Sequence, residues 1–234
     1  MKRLSVRAVM FDLDGTLLDT LPDLAHAAHA MLRRAGLPPI TDDAVKSYVG
    51  RGIPNLVKRC LTGASGSAPD EAFLASMVTI FREEYRTVNG RHTRPYPGVL
   101  DTLQRLRHAG LPMACVTNKS AEFAEPLLAG QGLLQYFEVV VSGDTLAHKK
   151  PHPAPVLHAC EALGEAPHHA MLVGDSGNDI AAARAAGCKV ACVPYGYNEG
   201  VPVRAEECDA LLHSLPDVLT LIDLPPAAQN ASAA

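Results

Sequence analysis

The chain has no basic excess. Its 25 Asp+Glu outnumber 21 Lys+Arg, for a formal net charge of −4, which argues against a nucleic-acid binder, since such proteins usually turn a basic face toward phosphate backbones. No apolar run approaches the ~18 residues that cross a bilayer, and no membrane partner is expected. The first residues do not read as a secretory leader: their apolar run is short, and Arg7 and Asp12 bracket it. None of the six cysteines (60, 115, 160, 188, 192 and 208) belongs to a Cys-x-x-Cys pair, and most sit inside apolar segments. That argues against zinc or disulfides and for small buried hydrophobes in a reducing, cytoplasmic setting. There is no internal repeat, which sets aside a repeat array.

What is present is an ordinary globular composition, 47% hydrophobic and 20% charged over 234 residues. At roughly 150 residues per domain, the length suits one large domain or a core with a small insert. Short apolar runs rich in β-branched residues occur at 6–11, 112–117, 137–142, 170–173 and 189–194, with a weaker one at 210–213. They read as strands buried on both faces. Helical periodicity lies between them at 99–109, 121–131, 155–163 and 178–186, with Ser120 in the N-cap position of the second. Alternating strand and helix predicts an α/β fold, a Rossmann-like doubly wound parallel sheet. After the first strand the alternation stops. Residues 21–93 read only as helices (21–35, 41–49, 53–61 and 70–88), too much for a βα loop. The expected organisation is therefore a core of 1–17 and 96–224, an inserted all-helical cap of 18–95, and a frayed, disordered tail of 225–234.

In an open parallel sheet, ligands bind beyond the carboxyl ends of the strands. Asp12-Leu13-Asp14-Gly-Thr follows the first strand and Thr117-Asn118 the second. Lys149-Lys150-Pro follows the third, and Gly174-Asp175 through Asp179 the fourth. Singly, each has a mundane reading as a helix cap, turn or solvated loop residue; the ordered set on one sheet edge does not. Carboxylates held together repel unless a cation sits among them. An oxygen-only set of few carboxylates suits Mg²⁺. A lysine and a hydroxyl beside it complete a phosphate pocket.

These motifs resemble the haloacid-dehalogenase superfamily, in particular its small phosphatases with a helical C1-type cap, over nearly the whole chain. Asp12–Thr16 matches the Asp-x-Asp-Gly-Thr motif, Thr117 the strand-end hydroxyl, and Lys150 the lysine before proline, better than Lys149 does. Gly174, Asp175 and Asp179 match Gly-Asp-x-x-x-Asp. The resemblance implies a nucleophilic Asp12 that forms an aspartyl-phosphate, and Asp14 as general acid and then base. It implies Mg²⁺ held by the Asp12 and Asp175 carboxylates and the Asp14 backbone carbonyl, with Asp179 orienting a metal-bound water or Lys150. Thr117, Lys150 and the backbone N–H groups near Leu13 and Asn118 would bind phosphoryl oxygens.

The second aspartate separates the chain from dehalogenases and phosphonatases. A β-phosphoglucomutase-like enzyme would carry a hinge histidine near Leu24, for which His26 is an imperfect stand-in. The P-type ATPase spans and Lys-Thr-Gly-Thr continuation are absent. Phosphomonoester hydrolysis of a small phosphorylated metabolite remains. Phe11-Asp-Leu-Asp-Gly-Thr-Leu-Leu-Asp-Thr20, Val116-Thr-Asn-Lys119, Lys149-Lys-Pro-x-Pro-x-Pro155 and Val173-Gly-Asp-Ser176 are most similar to bacterial phosphoglycolate phosphatases, which implies 2-phosphoglycolate as substrate. N-acetylmuramate 6-phosphate, sugar phosphates or pyrophosphate are the alternatives. In the cap, Gly50-Arg51-Gly52 is expected to approach the sheet edge, Arg51 pairing with a substrate carboxylate. His148, His152, His168 and His169 read as loop residues, and Tyr195-Gly-Tyr-Asn as packing. From another class, a phospho-accepting regulatory module shares the strand-end aspartate. Monomer and homodimer both remain open.

Overall fold

The computed structural model describes residues 3–223; the expected tail lies outside them. In chain order the elements are β1 (Ala8–Phe11), β2 (Leu18–Asp19), α1 (Leu21–Arg34), α2 (Asp42–Tyr48), α3 (Ile53–Ser65), α4 (Glu71–Val88), β3 (Arg94–Pro95), α5 (Val99–His108), β4 (Met113–Val116), α6 (Ala121–Gly130), β5 (Val139–Val141), α7 (Ala154–Ala162), β6 (Ala170–Gly174), α8 (Gly177–Ala186), β7 (Lys189–Cys192), β8 (Ala210–Leu211) and α9 (Val218–Leu221).

Six strands form one sheet in the order β5-β4-β1-β6-β7-β8, every pairing parallel. Side chains alternate across it. Val9 and Phe11 face a cluster with Leu103 of α5 and Leu127 of α6. Ala8 and Met10 face the opposite cluster, with Val156 of α7 and Ala182 of α8. Both faces are thus covered, which is why these strands read as unbroken apolar runs; burying each larger side chain contributes about 2 kcal/mol. All six cysteines are free and buried. Among the described residues, no helix is long and apolar enough to cross a membrane.

The four helices α1–α4 have a core of their own, built from Met31, Leu32, Val57, Leu61, Phe81 and Tyr85 among others. Thr41 and Asp70 cap α2 and α4 by accepting from Ala44 and Phe73 N–H. Two devices staple the ends of this insert together. β2 pairs antiparallel with β3, a ribbon too short for any sequence period. Asp23, fully buried, accepts from the N–H groups of Gly90 (3.0 Å) and Thr93 (3.1 Å) and from the Thr93 hydroxyl (2.7 Å). One helix start differs from expectation. Ser120 makes no side-chain cap on α6; Asp144 instead accepts from the Ala121 N–H at 2.8 Å.

Candidate active site

The register of the central strands sets out the site. Phe11 lies opposite Cys115 of β4 and Val173 of β6, so the residues just past each strand emerge together on one edge. Asp12 N–H continues the ladder to the Val173 carbonyl (2.9 Å), and Thr117 N–H to that of Val141 (2.9 Å). After Asp12 the chain turns tightly, the Leu13 carbonyl accepting from Leu17 and Leu18 N–H, both at 3.0 Å. Gly15 at φ +88° makes this turn possible, and a Cβ there would stand 2.6 Å from Asp175 Oδ2. The turn thus packs directly on Asp175, whose Oδ1 accepts from the Thr16 hydroxyl at 3.1 Å. Its Oδ2 accepts from the backbone N–H groups of Tyr197 (2.6 Å) and Asn198 (3.3 Å). Tyr195-Gly-Tyr-Asn therefore does more than pack: a side chain at Gly196 would collide with Asp175. The Tyr197 hydroxyl in turn accepts from Thr20 (2.6 Å) and Leu21 (2.8 Å) N–H at the start of α1.

Carboxylate oxygens of Asp12, Asp175 and Asp179 lie within 4.8 Å of one another. The buried Lys150 ammonium is clamped among Asp12 Oδ1 (2.8 Å), Asp179 Oδ1 (2.7 Å) and the Val116 carbonyl (2.6 Å). Asp179 Oδ2 is taken by the hydroxyl (2.7 Å) and N–H (3.2 Å) of Ser176. Burial pushes the Asp12 carboxyl up to about 6; Lys150 opposes the shift and Asp179 adds to it. Burial, then the charges of Asp12 and Asp179, pushes Asp175 up to about 8. One ammonium does not balance three buried carboxylates. A hard, oxygen-seeking cation fits this donor set, and Mg²⁺ suits a site of few carboxylates.

Asp14 lines the same cleft. Its carboxylate pairs with Lys119 Nζ (2.9 Å), which also donates to the Tyr85 hydroxyl of α4 (2.8 Å). Burial alone would depress the Lys119 ammonium, but Asp14 and Tyr85 outweigh it and hold its pKa above the ordinary lysine value. In the sequence Lys119 stands in the Val116-Thr-Asn-Lys119 segment and Tyr85 in the helix at 70–88, and nothing local signals their pairing. Thr117 Oγ1 accepts from Lys119 N–H (3.2 Å), which leaves its proton to donate. Asn118 bridges cap and core, donating to the Gly50 and Lys150 carbonyls at 2.8 Å each. Leu24 lines the cleft, while His26 is exposed on α1.

Arg51 is placed differently from the expectation. Gly50 and Gly52 line the cleft, but Arg51 does not. Its Nε is 2.9 Å from Glu199, and Glu199 also accepts from Asn178. The guanidinium clasps the cap to the core at the rim because Glu199 offers it a fixed carboxylate partner. Arg51→Ala is therefore expected to lower kcat/KM for 2-phosphoglycolate and p-nitrophenyl phosphate by the same factor, roughly 2- to 5-fold for an exposed pair. A loss confined to 2-phosphoglycolate would instead restore a direct contact.

Residues 9–193 match the family model described as haloacid dehalogenase-like hydrolase. The chain belongs to that family. It is 51% identical over 219 residues to a phosphoglycolate phosphatase of Nitrosospira multiformis, covering 94% of this chain and 96% of the relative. It is 48% identical over 219 residues, with the same coverages, to one of Thiobacillus denitrificans. The crystal structure of a predicted phosphoglycolate phosphatase from Haemophilus somnus superposes with a TM-score of 0.88 at 33% identity, covering 94% of this chain and 99% of that one. As a haloacid dehalogenase-like hydrolase with these relatives, the protein is a phosphoric monoester hydrolase.

Proposed function

We propose that this phosphatase is Mg²⁺-dependent and converts 2-phosphoglycolate to glycolate and phosphate through an aspartyl-phosphate on Asp12. The observation that carries the reading is the grouping of Asp12, Asp175 and Asp179 around the Lys150 ammonium, with Asp14 beside them in one cleft. The relatives' names support the substrate.

The Asp12 and Asp175 carboxylates and the Asp14 backbone carbonyl would hold the ion. Asp179, both oxygens already engaged by Lys150 and Ser176, holds its neighbours in place. When bound, Mg²⁺ supplies positive charge against the phosphoryl oxygens. Asp12 attacks phosphorus with a carboxylate oxygen, needing no base to activate it. Lys150 keeps that carboxylate ionised and offsets its repulsion with the phosphate. The Thr117 hydroxyl and the N–H groups of Leu13 and Asn118 bind phosphoryl oxygens. Asp14 protonates the leaving glycolate oxygen, then takes the proton of the water that hydrolyses the phosphoaspartate. The cap closes over the cleft through Asn118 to Gly50 and limits its contents to a small metabolite.

Phosphate release from 2-phosphoglycolate, hexose phosphates, N-acetylmuramate 6-phosphate, pyrophosphate and nucleotides tests this, with Mg²⁺ and with EDTA. The expected result is a strong, EDTA-sensitive preference for 2-phosphoglycolate. Mg²⁺ at about 100 times its Kd is also expected to stabilise the fold by about 2.7 kcal/mol, raising Tm by roughly 5–10 °C. A flat profile removes the substrate assignment, and rates and Tm indifferent to EDTA remove the metal.

A further inference from the structure

Two ammonium groups line the cleft among the described residues, Lys119 and Lys150. Lys150 is committed to Asp12, Asp179 and the Val116 carbonyl. Lys119 is not committed in the same way. It sits at the end of β4 with its side chain 3% exposed, and it has one carboxylate partner, Asp14, and one neutral partner, Tyr85. The Tyr85 ring also lies beneath the ammonium, 4.9 Å from centroid to Nζ. Tyr85 is itself fully buried in the cap core. The lysine is thus held from the cap side while its charge is directed at the residue read as the acid. Leu24, Ile53 and Leu56 supply apolar cleft wall, where an unpaired anion would be costly.

We infer that Lys119 is the residue that recognises the substrate's carboxylate, taking it in exchange for Asp14; this rests on the 2-phosphoglycolate reading above. The covalent structure of the substrate makes the argument. In a phosphorylated two-carbon acid the carboxylate carbon is two bonds from the ester oxygen. If Asp14 protonates that oxygen, the carboxylate must lie beside Asp14. Lys119 Nζ is 2.9 Å from the Asp14 carboxylate, so it is the cation within reach, whereas Arg51 is held at the rim by Glu199. The exchange keeps the buried ammonium paired throughout, with Tyr85 as its constant partner. An ester without a second anion leaves Lys119 on Asp14.

The test compares 2-phosphoglycolate with 2-hydroxyethyl phosphate, its analogue with a neutral hydroxymethyl group in place of the carboxylate, in the full-length enzyme with Mg²⁺. Lys119→Met is expected to cut the ratio of the two kcat/KM values on the order of 100-fold, the size of a charge-assisted hydrogen bond lost in a buried site. Lys119→Gln, carried in parallel as a second uncharged variant, should lose it likewise, and Lys119→Arg should retain a preference for the acid. Competitive inhibition by glycolate against p-nitrophenyl phosphate should weaken in both uncharged variants. Equal losses on both esters would make Lys119 a positioning residue for Asp14 and overturn the proposal, as would an unchanged ratio. If the wild-type enzyme itself shows no preference for the acid, the substrate reading fails first, and the role of Lys119 falls with it.

Discussion

Asp12→Asn is expected to lose phosphatase turnover by at least about 10⁴-fold, as removal of a nucleophile does, while remaining folded. The fold survives because Lys150 keeps two of its three partners, Asp179 Oδ1 at 2.7 Å and the Val116 carbonyl at 2.6 Å. The loss of one ion pair is offset by relief of repulsion, since Asp12 is a carboxyl that burial and its acidic neighbours already push up. The melting temperature should therefore stay within about 5 °C of wild type, a change of roughly 1–2 kcal/mol. Two readouts check the role. Steady-state phosphate release gives the rate. Acid-quenched wild-type enzyme taken during turnover should carry the mass of a phosphoryl group on the peptide containing Asp12, and the variant should not. Near-wild-type release from a folded Asp12→Asn enzyme would end the covalent mechanism.

Lys150→Met should have the largest effect on stability. The side chains are similar in length, so the change removes the charge more than the packing. It leaves the oxygens of Asp12, Asp175 and Asp179 within 4.8 Å of one another with no ammonium among them. Breaking a buried pair by deleting one partner costs about 3–5 kcal/mol, a fall in Tm of roughly 6–20 °C for a chain of this size. Turnover should be lost as well, because the same ammonium offsets the charge that Asp12 meets at phosphorus. The double variant Lys150→Met/Asp179→Asn should regain part of the stability without regaining activity, since it removes the more deeply buried of the two carboxylates that lose their ammonium. Thermal melts of the apo proteins decide the matter. A single variant that melts with the wild type would mean that the clamp contributes nothing to folding.

The parts of the molecule legible in the chain are those set by local patterning. Runs such as 170–173 are apolar throughout because both faces of the sheet are covered. Their spacing by helical segments ending in Gly164 or Gly187 leads to the parallel order. Asp12, Asp14, Thr117, Lys150, Asp175 and Asp179 could be named because a parallel sheet delivers its strand ends to one edge. The misses lie where no local pattern exists. The ribbon of Leu18–Asp19 with Arg94–Pro95 is two residues on each side, too short for a period of two to register. Asp144 replaces Ser120 as the cap of α6 through a contact 23 residues away.

Sequence alone therefore determined the alternation of strands and helices, the presence of a helical insert, and which acidic, hydroxyl and ammonium groups meet at the sheet edge. The tertiary structure alone decided the partners of the side chains between cap and core. Glu199 stands 148 residues from Arg51 and draws it to the rim. Tyr85 reaches Lys119 across 34 residues, and Gly196 lets Tyr197 close on Asp175. Periodicity reports which face of an element is buried. Which ions meet across two separately built cores depends on how the helices seat over the sheet, and that follows from the summed packing of both.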